Sequence, residues 1–103
     1  MANQNARFGT DRERKVLCRL QDQDWFCIRT PGSKGAMDIV ALRDGSRPRL
    51  IQVKGDAAGP FASFGPAARE RLVGEAKIAG AEPWLAWWPR RGDLMWLPQS
   101  QWP

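Results

Sequence analysis

Four residues between positions 13 and 54 of this 103-residue chain are of the types that hold a hard cation and stabilise a developing anion: Glu13, Asp38, Gln52 and Lys54. Met37 to Arg43 and Arg49 to Lys54 are short β-rich runs around Asp44-Gly45-Ser46-Arg47-Pro48, a connection typical of a hairpin. Centred on Ser46, the hairpin sets Asp38 opposite Lys54 and Val40 opposite Gln52, with Asp38, Gln52 and Lys54 on one sheet face. A carboxylate, an amide and an ammonium on a face that also carries Val40, Leu42 and Leu50 are costly unless paired or used. The plain structural account is an Asp38–Lys54 ion pair near a sheet end. Glu13 weighs against it, because it falls on the same helical stripe as Val16, Leu17 and Leu20 and so faces the sheet. Thr10-x-x-Glu13 also reads as a capping box, and the two roles are compatible, since a cap would fix where Glu13 points. Two carboxylates and an amide oxygen form an all-oxygen set of the kind Mg²⁺ or Mn²⁺ accepts. Lys54 beside that set is placed to orient water or to stabilise negative charge, with no histidine required.

The elements that must position these residues follow from periodicity and turn formers. A helical stretch begins at Thr10, with Arg12, Arg14, Lys15 and Arg19 mostly off its apolar face. Trp25 to Arg29 alternates as a strand and is interrupted by Thr30-Pro31-Gly32-Ser33-Lys34-Gly35, after which the hairpin supplies two more strands. Gly55 to Gly65 reads as a mobile loop carrying Phe61 and Phe64. Pro66 opens a second helix with Ala68, Leu72, Ala76 and Ala79 on one stripe, closed by Gly80 and Pro83. Trp84 to Trp88 and Leu94 to Leu97 complete the set as strands joined by Pro89-Arg90-Arg91-Gly92-Asp93. The order αβββαββ predicts an α/β fold with a mixed sheet of about five strands flanked by helices, formed by one domain over residues 1–103.

Composition narrows the chemistry. Sixteen Lys and Arg against eleven Asp and Glu give +5, and twelve of the sixteen are Arg, whose planar fork fits phosphate. Zero His removes His-based general bases and most zinc sites, and zero Tyr removes a covalent phosphotyrosyl route. Cys18 and Cys27 form no CxxC pair and are expected as buried thiols in a reducing compartment. The longest wholly apolar run, Trp84 to Trp88, is far short of a membrane span, and the first residues lack an apolar signal core, so an intracellular, cytoplasmic protein without a membrane partner is expected. The six Trp are read mainly as core and interface material, with Trp84 and Trp88 on one strand face and Trp87 on the other.

Gly9-Thr10-x-x-Glu13-Arg14, Arg29-Thr30-Pro31-Gly32-Ser33-Lys34-Gly35, Asp38-Ile39-Val40-Ala41-Leu42 and Ile51-Gln52-Val53-Lys54, in that order, resemble the archaeal-type Holliday junction resolvase family of the PD-(D/E)xK nuclease superfamily. The resemblance implies a restriction-endonuclease-like fold and an Mg²⁺- or Mn²⁺-dependent nuclease. It implies Asp38 as central metal ligand, Gln52 where the family usually has an acidic ligand, Lys54 as catalytic lysine and Glu13 assisting metal or water. Ser33 matches a serine near the scissile phosphate and Arg29 a basic residue preceding its loop. Met37 replaces a proline that often precedes the aspartate. The partners implied are branched DNA, in the form of a four-way junction cut on two opposed strands, and a second copy of the chain in a homodimer. Contacts to DNA are expected from Arg12, Arg14, Arg29, Ser33, Lys34 and Arg69, with Phe61 and Phe64 either as wedges at the branch point or as an apolar loop packed against the protein's own dimer. The alternatives are a nuclease of the same fold acting on duplex or flap DNA, and a branched-DNA-binding module that no longer cuts.

Overall fold

The computed structural model describes residues 4–30 and 36–103, with side chains from Gly9 onward. Its elements run α1 (Gln4–Asp22), β1 (Phe26–Arg29), β2 (Ile39–Leu42), β3 (Arg49–Lys54), α2 (Pro66–Ala79), β4 (Glu82–Trp87) and β5 (Met95–Pro98), followed by a 3-10 turn at Gln99–Gln101. The expected order αβββαββ is therefore present. One five-stranded mixed sheet carries the strands in the order β1-β2-β3-β4-β5. Only β3 and β4 are parallel, joined through α2, and the other neighbours pair antiparallel.

The two helices lie on opposite faces. Val16 and Leu20 of α1 are buried against Ile39, Ala41, Ile51 and Val53. Leu72 and Ala76 of α2 pack with Leu50, Leu85, Leu97 and Phe64. Alternation along β2 and β3 thus sends odd residues to α1 and even residues toward α2, which is why both strands are rich in apolar residues. Within α2 the buried stripe narrows to Leu72 and Ala76, since Ala68 and Ala79 are exposed. Pro66 starts that helix, and Gly80 ends it at φ 63, where its N–H and that of Ala81 close onto the carbonyls of the last turn.

Three expectations are corrected here. First, α1 begins at Gln4, so Thr10 lies inside the helix and the capping box with Glu13 does not exist. Second, the β2–β3 hairpin is centred on Gly45 rather than Ser46: Ile39 faces Ile51 and Val40 faces Leu50, which extends to Asp38 beside Gln52. The turn residue is Gly45, at φ 76, and Ser46 N–H closes the turn on the Arg43 carbonyl at 3.1 Å. The shift leaves Asp38 and Gln52 on one face but moves Lys54 out of register with Asp38. Third, Cys18 is exposed and Cys27 half-buried.

The β3 end remote from Lys54 is held by cation–π packing. Arg49 lies 4.6 Å from the Trp25 ring centre and 4.3 Å from that of Trp84, and Arg43 lies 4.1 Å from Trp25. Glu82 sits 3.8 Å from Arg49, whose pKa burial lowers. Trp84 and Trp96 meet edge to face at 6.5 Å, and Trp88 joins them on the α1 side while Trp87 packs on the α2 side, as the alternation predicts. These cations pack on the aromatic rings beside the core.

Candidate functional site

Arg29 closes β1, Asp38 immediately precedes β2, and Gln52 and Lys54 close β3, so all four gather at one end of the sheet. The lead into β2 is pinned by backbone bonds from Asp38 N–H to the Ile51 carbonyl at 2.8 Å and from Thr30 N–H to the Asp38 carbonyl at 2.9 Å. The Thr30 hydroxyl donates to the Met37 carbonyl at 2.7 Å, and Ala36 N–H donates to the Glu75 carboxylate of α2 at 3.1 Å. Nothing in the sequence marks Thr30 or Glu75, because their partners are backbone groups, and that of Glu75 is 39 residues away in the chain.

Asp38 is 8% exposed and is the one buried charged residue among the described residues. Its Oδ2 accepts two hydrogen bonds, from the Val53 N–H and from Nε2 of Gln52, both at 2.8 Å. Burial pushes its pKa up to about 6; the Val53 N–H opposes this, Glu13 adds to it, and Lys54 and Arg29 pull it back. Asp38 has no ion-pair partner among the described residues, and neither does Lys54, so the structural Asp38–Lys54 pair is not formed. Glu13 faces the site as its stripe predicts, and its Oε1 lies 3.2 Å from Nε of Arg29. The sheet end thus holds two carboxylates, an amide and two cations within mutual electrostatic range. A set of this kind can bind a hard cation and a phosphate together.

The residues expected to contact DNA divide sharply. Ser33 and Lys34 lie outside the described residues. Arg14 is exposed on α1. Arg29 is tied to Glu13. Arg12 is half-buried, donating from Nε to the Trp88 carbonyl at 2.8 Å, and its guanidinium lies so close over Gly55 that a Cβ there would collide with it. Gly55 follows Lys54 directly, so Arg12 clamps α1 to the exit of β3. The Gly after the Lys was the available signal for this close approach.

Burial removes Phe64 as a wedge. Phe64 is 1% exposed and meets Trp102 edge to face at 5.1 Å, and Phe61 is half-buried on the same core. Arg69 sits 5.6 Å from the Phe61 ring centre and donates to the Phe64 carbonyl at 2.9 Å. The loop is a chain of turns rather than free chain: the N–H groups of Gly59, Ala62 and Phe64 close onto Asp56, Gly59 and Phe61, and the Trp87 indole holds the Asp56 carbonyl at 2.9 Å. A small domain cannot spare two phenylalanines from its core, and without a period the sequence does not display that burial.

A five-stranded mixed sheet between two helices, with acid, amide and lysine at one end, defines the restriction-endonuclease-like nuclease fold. The family model for archaeal Holliday junction resolvase (Hjc) matches residues 4–101, and the chain belongs to that family. Among solved structures it is similar to Archaeoglobus fulgidus Hjc, a Holliday junction resolvase from an archaeal hyperthermophile. The two are 31% identical, the match covers 87% of this chain and 71% of the other, and the TM-score is 0.74. No curated protein matches.

Proposed function

We propose that the protein resolves four-way DNA junctions as a homodimer, by paired, nearly symmetric and divalent-metal-dependent hydrolysis of two opposed strands. The observation that carries the reading is Asp38, a buried carboxylate that shares one sheet end with Gln52, Lys54 and the Glu13–Arg29 pair. A buried carboxylate without a cationic partner is destabilised unless a cation arrives, and both its hydrogen bonds fall on Oδ2, so the donor set suits a hard metal. A divalent cation held by Asp38 and Glu13, with Gln52 as a weaker donor, would supply Lewis-acid polarisation of the phosphodiester and a more acidic water. Lys54 adds a positive charge where the phosphate becomes more negative, and Arg29 orients Glu13.

Gln52 carries a built-in conflict. Its Nε2 donates to Asp38, so its carbonyl oxygen becomes a ligand only when the amide turns over and that hydrogen bond is lost. Gln52→Glu is expected to lower the melting temperature in chelator, since two carboxylates then face each other, and to enlarge the shift produced by Mg²⁺. Half-saturation by Mg²⁺ should fall on the order of tenfold. Calorimetry with and without Mg²⁺ checks both; weaker Mg²⁺ binding in this variant removes Gln52 from the ligand set.

A second copy of the chain would fit the sheet face that α2 leaves open over β1 and β2. Phe26 (66% exposed), Ile28 (48%) and Leu42 (38%) lie there together, Phe26 facing Leu42 across the ladder. Three large apolar groups side by side on the edge strand β1 and its neighbour β2 form a patch suited to a two-fold contact. Light scattering is expected to give twice 11.6 kDa for the unaltered protein and 11.6 kDa for Phe26→Glu, with paired incision lost. A monomer with full junction cleavage contradicts the dimer.

The decisive experiment compares a four-way junction with linear duplex and flap DNA of the same sequence, in Mg²⁺ and in chelator. Duplex must bend to reach two metal sites at fixed separation, at a cost on the order of 1–6 kcal/mol, so a preference of at least tenfold for the junction is expected. Equal cleavage of junction and duplex overturns the resolvase reading and leaves a general nuclease. Tight junction binding with no cutting in any metal leaves a binding module, the outcome that Gln52 in an acidic ligand's place would explain.

A further inference from the structure

The outer face of α1 and the β4–β5 turn enclose a furrow that the catalytic end does not use. One part, about 500 Å³, lies among Arg14, Lys15, Trp88 and Arg90; its continuation, about 440 Å³, runs along α1 to Arg19 and shares Arg14, Lys15 and Trp88 with the first. Asp11 and Asp22 are the acidic residues on it, against five cations when Arg12 is included. The exposed face of α2 differs in kind, because Arg69, Arg71 and Lys77 there alternate with Glu70 and Glu75. Arg14, Lys15 and Arg19 make no ion pair among the described residues, and Arg19 instead lies 5.2 Å from the Trp88 ring centre. Like charges at this helical spacing repel, which disfavours the array unless a polyanion answers it.

The furrow also leads to the candidate site. Arg12, on its rim, packs over Gly55, the residue after Lys54, and the Trp88 N–H donates to the Lys54 carbonyl at 2.8 Å. From Arg12 to Arg19 the helix advances roughly 10 Å, the axial length of about three phosphates on one strand of duplex DNA. We infer that this furrow carries the sugar–phosphate backbone of one duplex arm of the junction, leading away from the cut. The inference rests on the junction-resolving reading for the identity of the DNA, but the furrow is tested by binding, without cleavage.

Binding to a four-way junction is measured in chelator over a salt series, for the full chain and for Lys15→Ala, Arg19→Ala and, as a control on α2, Lys77→Ala. Each furrow substitution is expected to weaken binding several-fold at low salt and to lower the slope of log affinity against log salt by about 0.9, and the control to change neither. Cys18, exposed on the furrow, serves as a native reporter in the unaltered protein. Bound junction is expected to slow its alkylation at least tenfold, with the protection lost at high salt. An unchanged slope in the furrow variants, an equal loss in Lys77→Ala, or unprotected Cys18 in the bound complex overturns the furrow. A protein that binds in this way and never cuts overturns the resolvase reading and leaves the furrow standing.

Discussion

Asp38→Asn is expected to abolish cleavage, by at least a thousandfold, and at the same time to make the metal-free protein more stable at neutral pH. Both effects have one cause. In the folded chain the Asp38 pKa is raised from 3.8 to about 6. The folded state therefore holds the proton more tightly than the unfolded chain. Its contribution is fully present below pH 4, falls as pH rises toward 6, and is absent at pH 7. Two units correspond to about 3 kcal/mol. Both hydrogen bonds land on a single carboxylate oxygen, so asparagine can keep both with Oδ1 and lose only the charge. At pH 7 in chelator a rise of roughly 12–24 °C in melting temperature follows for a domain of this size. Denaturation at pH 4.5 and pH 7 checks the sign: the unaltered protein loses stability between the two, and the variant does not. Junction binding should stay within twofold, since phosphate contacts are distributed over many Arg and Lys residues. Cleavage at the normal rate by Asp38→Asn would remove Asp38 from the chemistry.

That instability is how the site could be read before its geometry was known. A carboxylate, an amide and a lysine on an otherwise apolar sheet face are expensive, and the expense is visible in residue types alone. A hairpin centred on Ser46 differs from the observed one by two residues in register, and the functional grouping is the same in both, because an even offset leaves every side chain on its original face. What the strand pattern could not show was Lys54 standing apart from Asp38, since that depends on which turn residue accepts a positive φ. Local signals misled where two of them competed. Thr10-x-x-Glu13 has the form of a helix start, but the helix runs on toward Gln4 and the Glu turns to Arg29 instead. Loop composition points Phe64 at DNA, but Trp102, remote in sequence, holds it in the core, and Arg12, which charge marks for DNA, also spends its Nε on the Trp88 carbonyl. The open face at Phe26 and Ile28 was equally hidden: alternation with Cys27 and Arg29 marks two faces, and only the placement of α2 over β3 and β4 decides which one stays uncovered.

Lys54→Ala separates the catalytic account from the structural one by moving rate and stability in different proportions. An ion pair buried at the sheet end would make Lys54 indispensable to folding, because its loss would strand a carboxylate. The Lys54 side chain forms no ion pair among the described residues, however, and its ladder role is carried by a backbone carbonyl that accepts the Trp88 N–H. Truncation leaves that bond in place. The melting temperature should therefore fall by only a few degrees, while the cleavage rate falls on the order of 10²–10³-fold, the usual loss when one charge is removed from a developing oxyanion. Lys54 also lowers the Asp38 pKa, so its removal should raise that pKa further and move the acid limb of the pH–rate profile upward. Single-turnover cleavage of a four-way junction at saturating protein, repeated from pH 5 to 9, reads the rate and the limb together. A variant that unfolds at ordinary temperature, or one whose rate falls with the acid limb unmoved, would mean that Lys54 acts elsewhere than on Asp38 and the phosphate beside it.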